Sequence, residues 1–160
     1  MVDLVTRRLG LISDTHGLLR PGVHDALGGV ALILHAGDVG GSGILEELRL
    51  IAPVRAVSGN TDPPDDPELA LEIMMNVEGV SVHVSHGHEV GSPTPERLAA
   101  RYDADVVVYG HTHRPLVTKL GGRLFVNPGA AGPKRFNLTP SVARLTISGG
   151  NAEVEIVEIA

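Results

Sequence analysis

The sequence predicts an α/β protein, a four-layer α/β/β/α sandwich with two mixed β-sheets. Three observations predict it. The first half alternates short apolar runs with loops that open helices, the rhythm of parallel strands joined by right-handed crossovers. The part after residue 113 is strand and tight turn only. The 160 residues, 42% hydrophobic, suffice for a sizeable core, read as one domain over residues 1–160.

The elements follow in order. A strand over Leu9 to Ser13 leads through Asp14 to a helix starting near Pro21, a favoured first-turn residue. Ala31 to Ala36 leads through Gly40-Gly41-Ser42 to a helix over Gly43 to Leu50, with Ser42 as its N-cap. Val54 to Ser58 is the third strand. The prolines of the Asn60 to Pro67 segment make it a loop. Leu69 to Met75 and Gly79 to Ser85 read as strands, the apolar run of the second being Val80 to Ser85. Thr94 caps a helix from Pro95 to about Tyr102, and Arg97 at the third position leaves the capping box incomplete. Asp105 to Tyr109 is another strand. Leu116 to Leu120 and Arg123 to Val126 form a hairpin across Gly121-Gly122. Val142 to Ile147 and Ala152 to Ile159 form a second around Gly149-Gly150-Asn151.

Composition narrows the function. The chain has no cysteine, which excludes disulfides and thiolate metal sites. A net charge of −6 and 2% aromatic content argue against a non-specific nucleic-acid binder, which needs a basic face and stacking platforms. Arg7 and Arg8 are not followed by an apolar stretch of signal-peptide length. No apolar run approaches the roughly 18 residues of a membrane span. A cytoplasmic location is expected.

Five short motifs each follow a predicted strand: Asp14-Thr15-His16, Gly37-Asp38, Gly59-Asn60, His86-Gly87 and Gly110-His111-Thr112-His113. Loops at the carboxyl ends of strands in an open α/β sheet converge on one crevice. Asp14, His16, Asp38, Asn60, His86, His111 and His113 would then meet, a set suited to two metal ions sharing a bridge. Two divalent ions roughly 3.5–4 Å apart are a standard device for attacking phosphate esters. In extended backbone, residues i and i+2 point the same way, so Asp14 and His16 are expected to grip one ion, and His111 and His113 to repeat that geometry. Asp38 is the natural bridging carboxylate, Asn60 a neutral oxygen donor of a second site, and His86 its partner. Glycines 17, 37, 59, 87 and 110 flank these residues, as close backbone approach requires.

The ordered pattern Asp-x-His, Gly-Asp, Gly-Asn-x-Asp, His-Gly, Gly-His-x-His resembles the calcineurin-like metallophosphoesterases. Ser13-Asp14-Thr15-His16-Gly17, Gly110-His111-Thr112-His113-Arg114-Pro115 and the Asn127-Pro128-Gly129 turn look most like the small bacterial and archaeal phosphodiesterases of that superfamily. The resemblance runs from about Leu9 to Gly132 and implies the same sandwich fold. It implies that Asp14, His16, Asp38 and His113 hold one ion, and that Asp38, Asn60, His86 and His111 hold the other. Many members follow the Gly-Asn pair with a histidine that assists the leaving group. Here Thr61 stands in its place, and His88 is the candidate replacement, with a supporting or merely exposed imidazole as its plainer reading.

Two divalent ions bring four positive charges and Asp14 and Asp38 two negative ones. One hydroxide and one phosphodiester anion balance the rest, so the expected reaction is in-line attack on phosphorus by a metal-bridging hydroxide. Four imidazoles among the donors disfavour Mg²⁺ and Ca²⁺ and suit Mn²⁺, Fe²⁺, Co²⁺, Ni²⁺ or Zn²⁺, and the resemblance points to Mn²⁺. The expected substrate is a small phosphodiester. A phosphomonoesterase or nuclease shares the same core, and the resemblance also supplies a scaffold precedent in a retromer subunit with a degraded metal site. It further implies a homo-oligomer.

His35 is read as a buried, hydrogen-bonded neighbour of the site, His24 as solvent-facing, and His83 as lying on one strand face.

Overall fold

The computed structural model describes residues 5–159, so residues 1–4 and 160, the ends of the expected domain, lie outside the described residues. Eleven strands are described: β1 Thr6–Ile12, β2 Leu32–His35, β3 Val54–Val57, β4 Leu69–Ala70, β5 Ile73–Val77, β6 Val80–Val84, β7 Val106–Val108, β8 Leu116–Leu120, β9 Arg123–Asn127, β10 Ser141–Ser148 and β11 Asn151–Glu158. The helices are α1 Gly22–Ala26, α2 Ser42–Leu48 and α3 Pro95–Arg101.

The first sheet has the order β11-β10-β1-β2-β3-β4 and the second β5-β6-β7-β9-β8. Strands β1 to β4 pair in parallel, and β10 joins β1 antiparallel, with Leu9 opposite Leu145. In the second sheet β6, β7 and β9 are parallel, with antiparallel β5 and β8 at the edges. Both sheets are therefore mixed, as the sequence predicts.

Alternate residues of each central strand face two different cores. Leu9, Leu11, Leu34 and Val57 meet Val82, Val84, Val106 and Val126 between the sheets. Ile12 and Ile33 point the other way, onto Val23 and Leu27 of the α1 region and Leu45 and Leu48 of α2. Val107, Tyr109 and Phe125 pack against Leu98 of α3 on the far side. Helix, sheet, sheet and helix are the four layers, and burial on both faces explains why the central strands read as continuous apolar runs.

Three local expectations are corrected. Leu69 to Met75 is not one strand: Leu69–Ala70 pairs with β3 in the first sheet and Ile73–Val77 with β6 in the second. The chain crosses between sheets at Leu71–Glu72, which no hydrophobic period could signal. The helix near Pro21 is a single turn with Pro21 as N-cap. Ser42 is the first residue of α2 rather than its cap, because Gly41, with φ +119°, takes the cap position. Thr94 does cap α3, its hydroxyl accepting from Arg97 N–H at 3.2 Å.

Candidate metal centre

The carboxyl ends of β1, β2, β3, β6 and β7 lie together, so the five loops that leave them meet. Asp14 N–H donates to Gly37 O at 3.0 Å, His16 N–H to Asp38 O at 2.9 Å and Gly110 N–H to His86 O at 2.9 Å. Such approaches leave no room for side chains at several glycines, Gly59 and Gly110 among them. A Cβ on Gly59 would overlap the Asp38 carboxylate, and one on Gly110 would overlap Ser13 Oγ.

Two donor groups result. Asp14, His16 and His113 form one, and Asp38, His86 and His111 the other, each with donor atoms within 4.8 Å of one another. Asn60 Oδ1 lies 3.1 Å from His111 Nδ1, at the edge of the second group. The structure thus brings together all the metal-binding candidates named from sequence. His88 sits beside them in a 3₁₀ turn, its ring centre 5.3 Å from that of His86 and 6.2 Å from that of His111.

The route to this arrangement is not the expected one. Asp14, His16, Asp38, His111 and His113 are not extended but left-handed, with φ of +55°, +45°, +55°, +73° and +64°. Non-glycine residues in that region cost of the order of 1–3 kcal/mol each and persist only where the surroundings enforce them. His111 and His113 accordingly split between the two groups instead of gripping one point.

The donor set fits a cation. Asp14 Oδ1 is fully buried and accepts no hydrogen bond, yet Nε2 of His113, His16 and His86 stand 3.4, 3.8 and 3.9 Å away. Nε2 atoms of His16 and His113 face each other at 3.4 Å. His86 Nδ1 lies 2.8 Å from Ala36 O, so it donates there and turns the lone pair of the neutral ring at Nε2 toward Asp38 Oδ2, 3.2 Å away. Backbone carbonyls fix metal-binding imidazoles in this way.

Charge follows the same logic. Burial works to raise the Asp14 carboxyl, but the facing His113 and His86 and the Ser13 hydroxyl hold it below the ordinary range. Burial also works to raise Asp38, and contacts with His86 and Thr61 override it, so this carboxyl is held far below. Burial would lower His86, yet Asp38 and Asp14 push it up. His16 and His111 are lowered, chiefly by burial. Both carboxylates are thus anionic and both groups attract positive charge.

Sequence reasoning missed the residues that position these donors. Thr61, noticed there only for replacing a histidine, donates to Asp38 Oδ1 from its N–H and its hydroxyl. The buried Asp62 carboxylate accepts from the N–H groups of Val39, Gly40 and Gly59, tying two loops together. The last position of Gly-Asn-x-Asp was its available signal. Asn127 Nδ2 donates to Gly110 O at 3.2 Å and to Thr112 Oγ1 at 3.0 Å, which gives the Asn-Pro-Gly turn a task. His35 is buried beside the site as expected, its Nε2 3.0 Å from Thr15 Oγ1.

The sequence pattern of the calcineurin-like phosphoesterase superfamily domain matches residues 8–150. The chain belongs to this superfamily. A probable metallophosphoesterase of Methanothermobacter thermautotrophicus is 36% identical to this phosphoesterase-family chain over 93% of its length and 91% of the relative's. An Escherichia coli K12 phosphodiesterase is 36% identical over 59% of this chain and 54% of its own. The superfamily fold recurs in vacuolar protein sorting 29 from Cryptosporidium parvum, with a TM-score of 0.80 at 24% identity, covering 97% of this chain and 98% of that one. Among the described residues of this family member, no helix is long and apolar enough to cross a membrane.

Proposed function

We propose that the chain is a cytoplasmic, dinuclear metal-dependent phosphodiesterase acting on a small phosphodiester. The observation that carries this reading is the place of Asp38, whose Oδ2 lies 3.6 Å from His16 of one donor group and 3.2 Å from His86 of the other. Asp14, His16, Asp38 and His113 would hold one ion, and Asp38, Asn60, His86 and His111 the second. When bound, two transition-metal ions, Mn²⁺ by family likeness, supply Lewis-acid activation of water and of the phosphoryl oxygens.

The remaining work falls to the chain. Thr61 orients Asp38 and has its hydroxyl committed there, so it gives no proton to a leaving group. Asn60, exposed at the rim, offers an amide to a phosphate oxygen. His88, 40% exposed beside the donors, would protonate the departing oxygen. The name of the Escherichia coli relative supports a diester over a monoester. A scaffold role has support in the likeness to vacuolar protein sorting 29, and the complete donor set weighs against it.

The test is hydrolysis of bis(p-nitrophenyl) phosphate against p-nitrophenyl phosphate by metal-free and Mn²⁺-loaded protein, with His86→Ala as control. Metal-dependent diester cleavage lost in the variant is expected. Inactivity with every transition metal, despite bound ions, would replace this reading with the scaffold.

A further inference from the structure

A cleft of about 410 Å³ opens directly off the candidate metal centre. Asn60 at the edge of the second donor group and His88 beside it line the cleft together with Leu71, Arg101 and Tyr102. It lies where the chain crosses from the first sheet to the second, at Leu71–Glu72, against the end of α3. Its volume falls within the roughly 300–1,000 Å³ of small-molecule sites and exceeds what a phosphate alone requires.

We infer that this cleft is a subsite for the organic group of the diester, and that a nucleoside is the class of group it takes. The inference rests on the phosphodiesterase reading of the adjoining centre. Tyr102 is pinned: its hydroxyl donates to Glu89 Oε2 at 2.7 Å and its ring stacks on the buried His83, centres 3.8 Å apart. A flat, immobile aromatic wall suits a planar group. Leu71 stands 80% exposed at the mouth, an apolar side chain that an entering ring would cover.

The three carboxylates of the lining are each engaged by neighbouring groups, which leaves one charged donor for a ligand. Asp62 is occupied by three backbone N–H groups, Glu72 lies 2.8 Å from His83 Nε2, and Glu89 accepts from Gly87 N–H and Tyr102. Among the described residues, Arg101 is the only Lys or Arg in the lining, and its guanidinium lies over the Tyr102 ring, 5.6 Å from the ring centre. A guanidinium beside an aromatic plane binds base carbonyls by its N–H groups and base faces by stacking. Because Asn60 and His88 connect cleft and centre, a phosphate at the metals places its ester substituent in the cleft.

The test uses the Mn²⁺-loaded protein and two substrates with one leaving group, the p-nitrophenyl ester of thymidine 5′-phosphate and methyl p-nitrophenyl phosphate. Stacking of one base is worth about tenfold or more, so kcat/KM for the thymidine ester should exceed that for the methyl ester by about that factor. Leu71→Glu and Arg101→Ala should bring the ratio toward one and leave methyl ester cleavage unchanged. A wild-type ratio near one, or a preference that survives both substitutions, would overturn the subsite. Amide chemical shifts of metal-free protein titrated with thymidine separate this from the parent reading. Shifts at Leu71, Arg101 and Tyr102 without turnover of any ester would keep the cleft and remove the phosphodiesterase. Turnover without preference and without shifts would do the reverse.

Discussion

Thr61 meets Asp38 twice, its N–H 2.9 Å and its hydroxyl 2.8 Å from the same carboxylate oxygen, Oδ1. That leaves Oδ2 for His16 and His86. A side chain that cannot act as an acid near neutral pH thus aims the carboxylate that faces a histidine of each donor group. Thr61→Val keeps the shape and the N–H but removes the hydroxyl. Such supporting contacts typically change metal affinity about 10–100-fold, and that loss should appear in Mn²⁺ titration calorimetry, with the fold unchanged by circular dichroism. Wild-type affinity in the variant would remove the hydroxyl from this role.

Asp38 and Asn60 should differ in kind. On the proposed bridging role, Asp38→Ala would take a donor from both sites, and Asn60→Ala would trim one edge of one. Elemental analysis after dialysis should find both sites depleted in the first variant and chiefly one in the second. Two ions retained by Asp38→Ala would refute the bridging assignment.

His88 is tested by the leaving group. As proton donor it matters most when the departing alkoxide is basic. His88→Ala should therefore slow an alkyl diester roughly 100-fold or more, and bis(p-nitrophenyl) phosphate far less. Equal slowing of both would demote His88 to a passive neighbour.

His35 sets a pH limit on stability. Gly37 N–H donates to its Nδ1 at 3.1 Å, so the neutral ring carries its proton on Nε2, facing Thr15. Burial in this fully enclosed position lowers its pKa to about 4. The unfolded chain takes up the proton near 6.5 and the folded chain only near 4, so stability is lost as pH falls through that interval. The loss is of the order of 3 kcal/mol. His16 and His111 contribute the same sign, whereas His86, raised in the metal-free protein, contributes stability that fades above 6.5. Urea unfolding at several pH values, wild type against His35→Gln, isolates the His35 share. An identical slope for both would discard it.

Asp62 should prove structural rather than chemical. Asp62→Ala strands the N–H groups of Val39, Gly40 and Gly59. Val39 and Gly59 are buried, and leaving a buried donor unpaired costs about 1–3 kcal/mol apiece, so the melting temperature should fall by several degrees. Asp62→Asn should recover part of the loss, and a melting temperature equal to wild type in Asp62→Ala would contradict the anchoring role.

The layers and the candidate donors were legible in the chain. Apolar runs buried on both faces have one economical packing, and because parallel strands share a direction, the motifs after strands put Asp14, Asp38 and Asn60 at the carboxyl end of one parallel set and His86 and His111 at that of another. Tertiary structure decided what local period cannot carry. The crossing at Leu71 depends on which sheet has a free edge. The left-handed turns at Asp14, His16, Asp38, His111 and His113 are held by neighbouring loops, not by their own preferences. The placing of Thr61 on Asp38, of Asp62 under two loops, and of Tyr102 in one cleft with Asn60 and His88 joins residues far apart in the chain. Their meeting depends on packed distance, which spacing along a sequence does not encode.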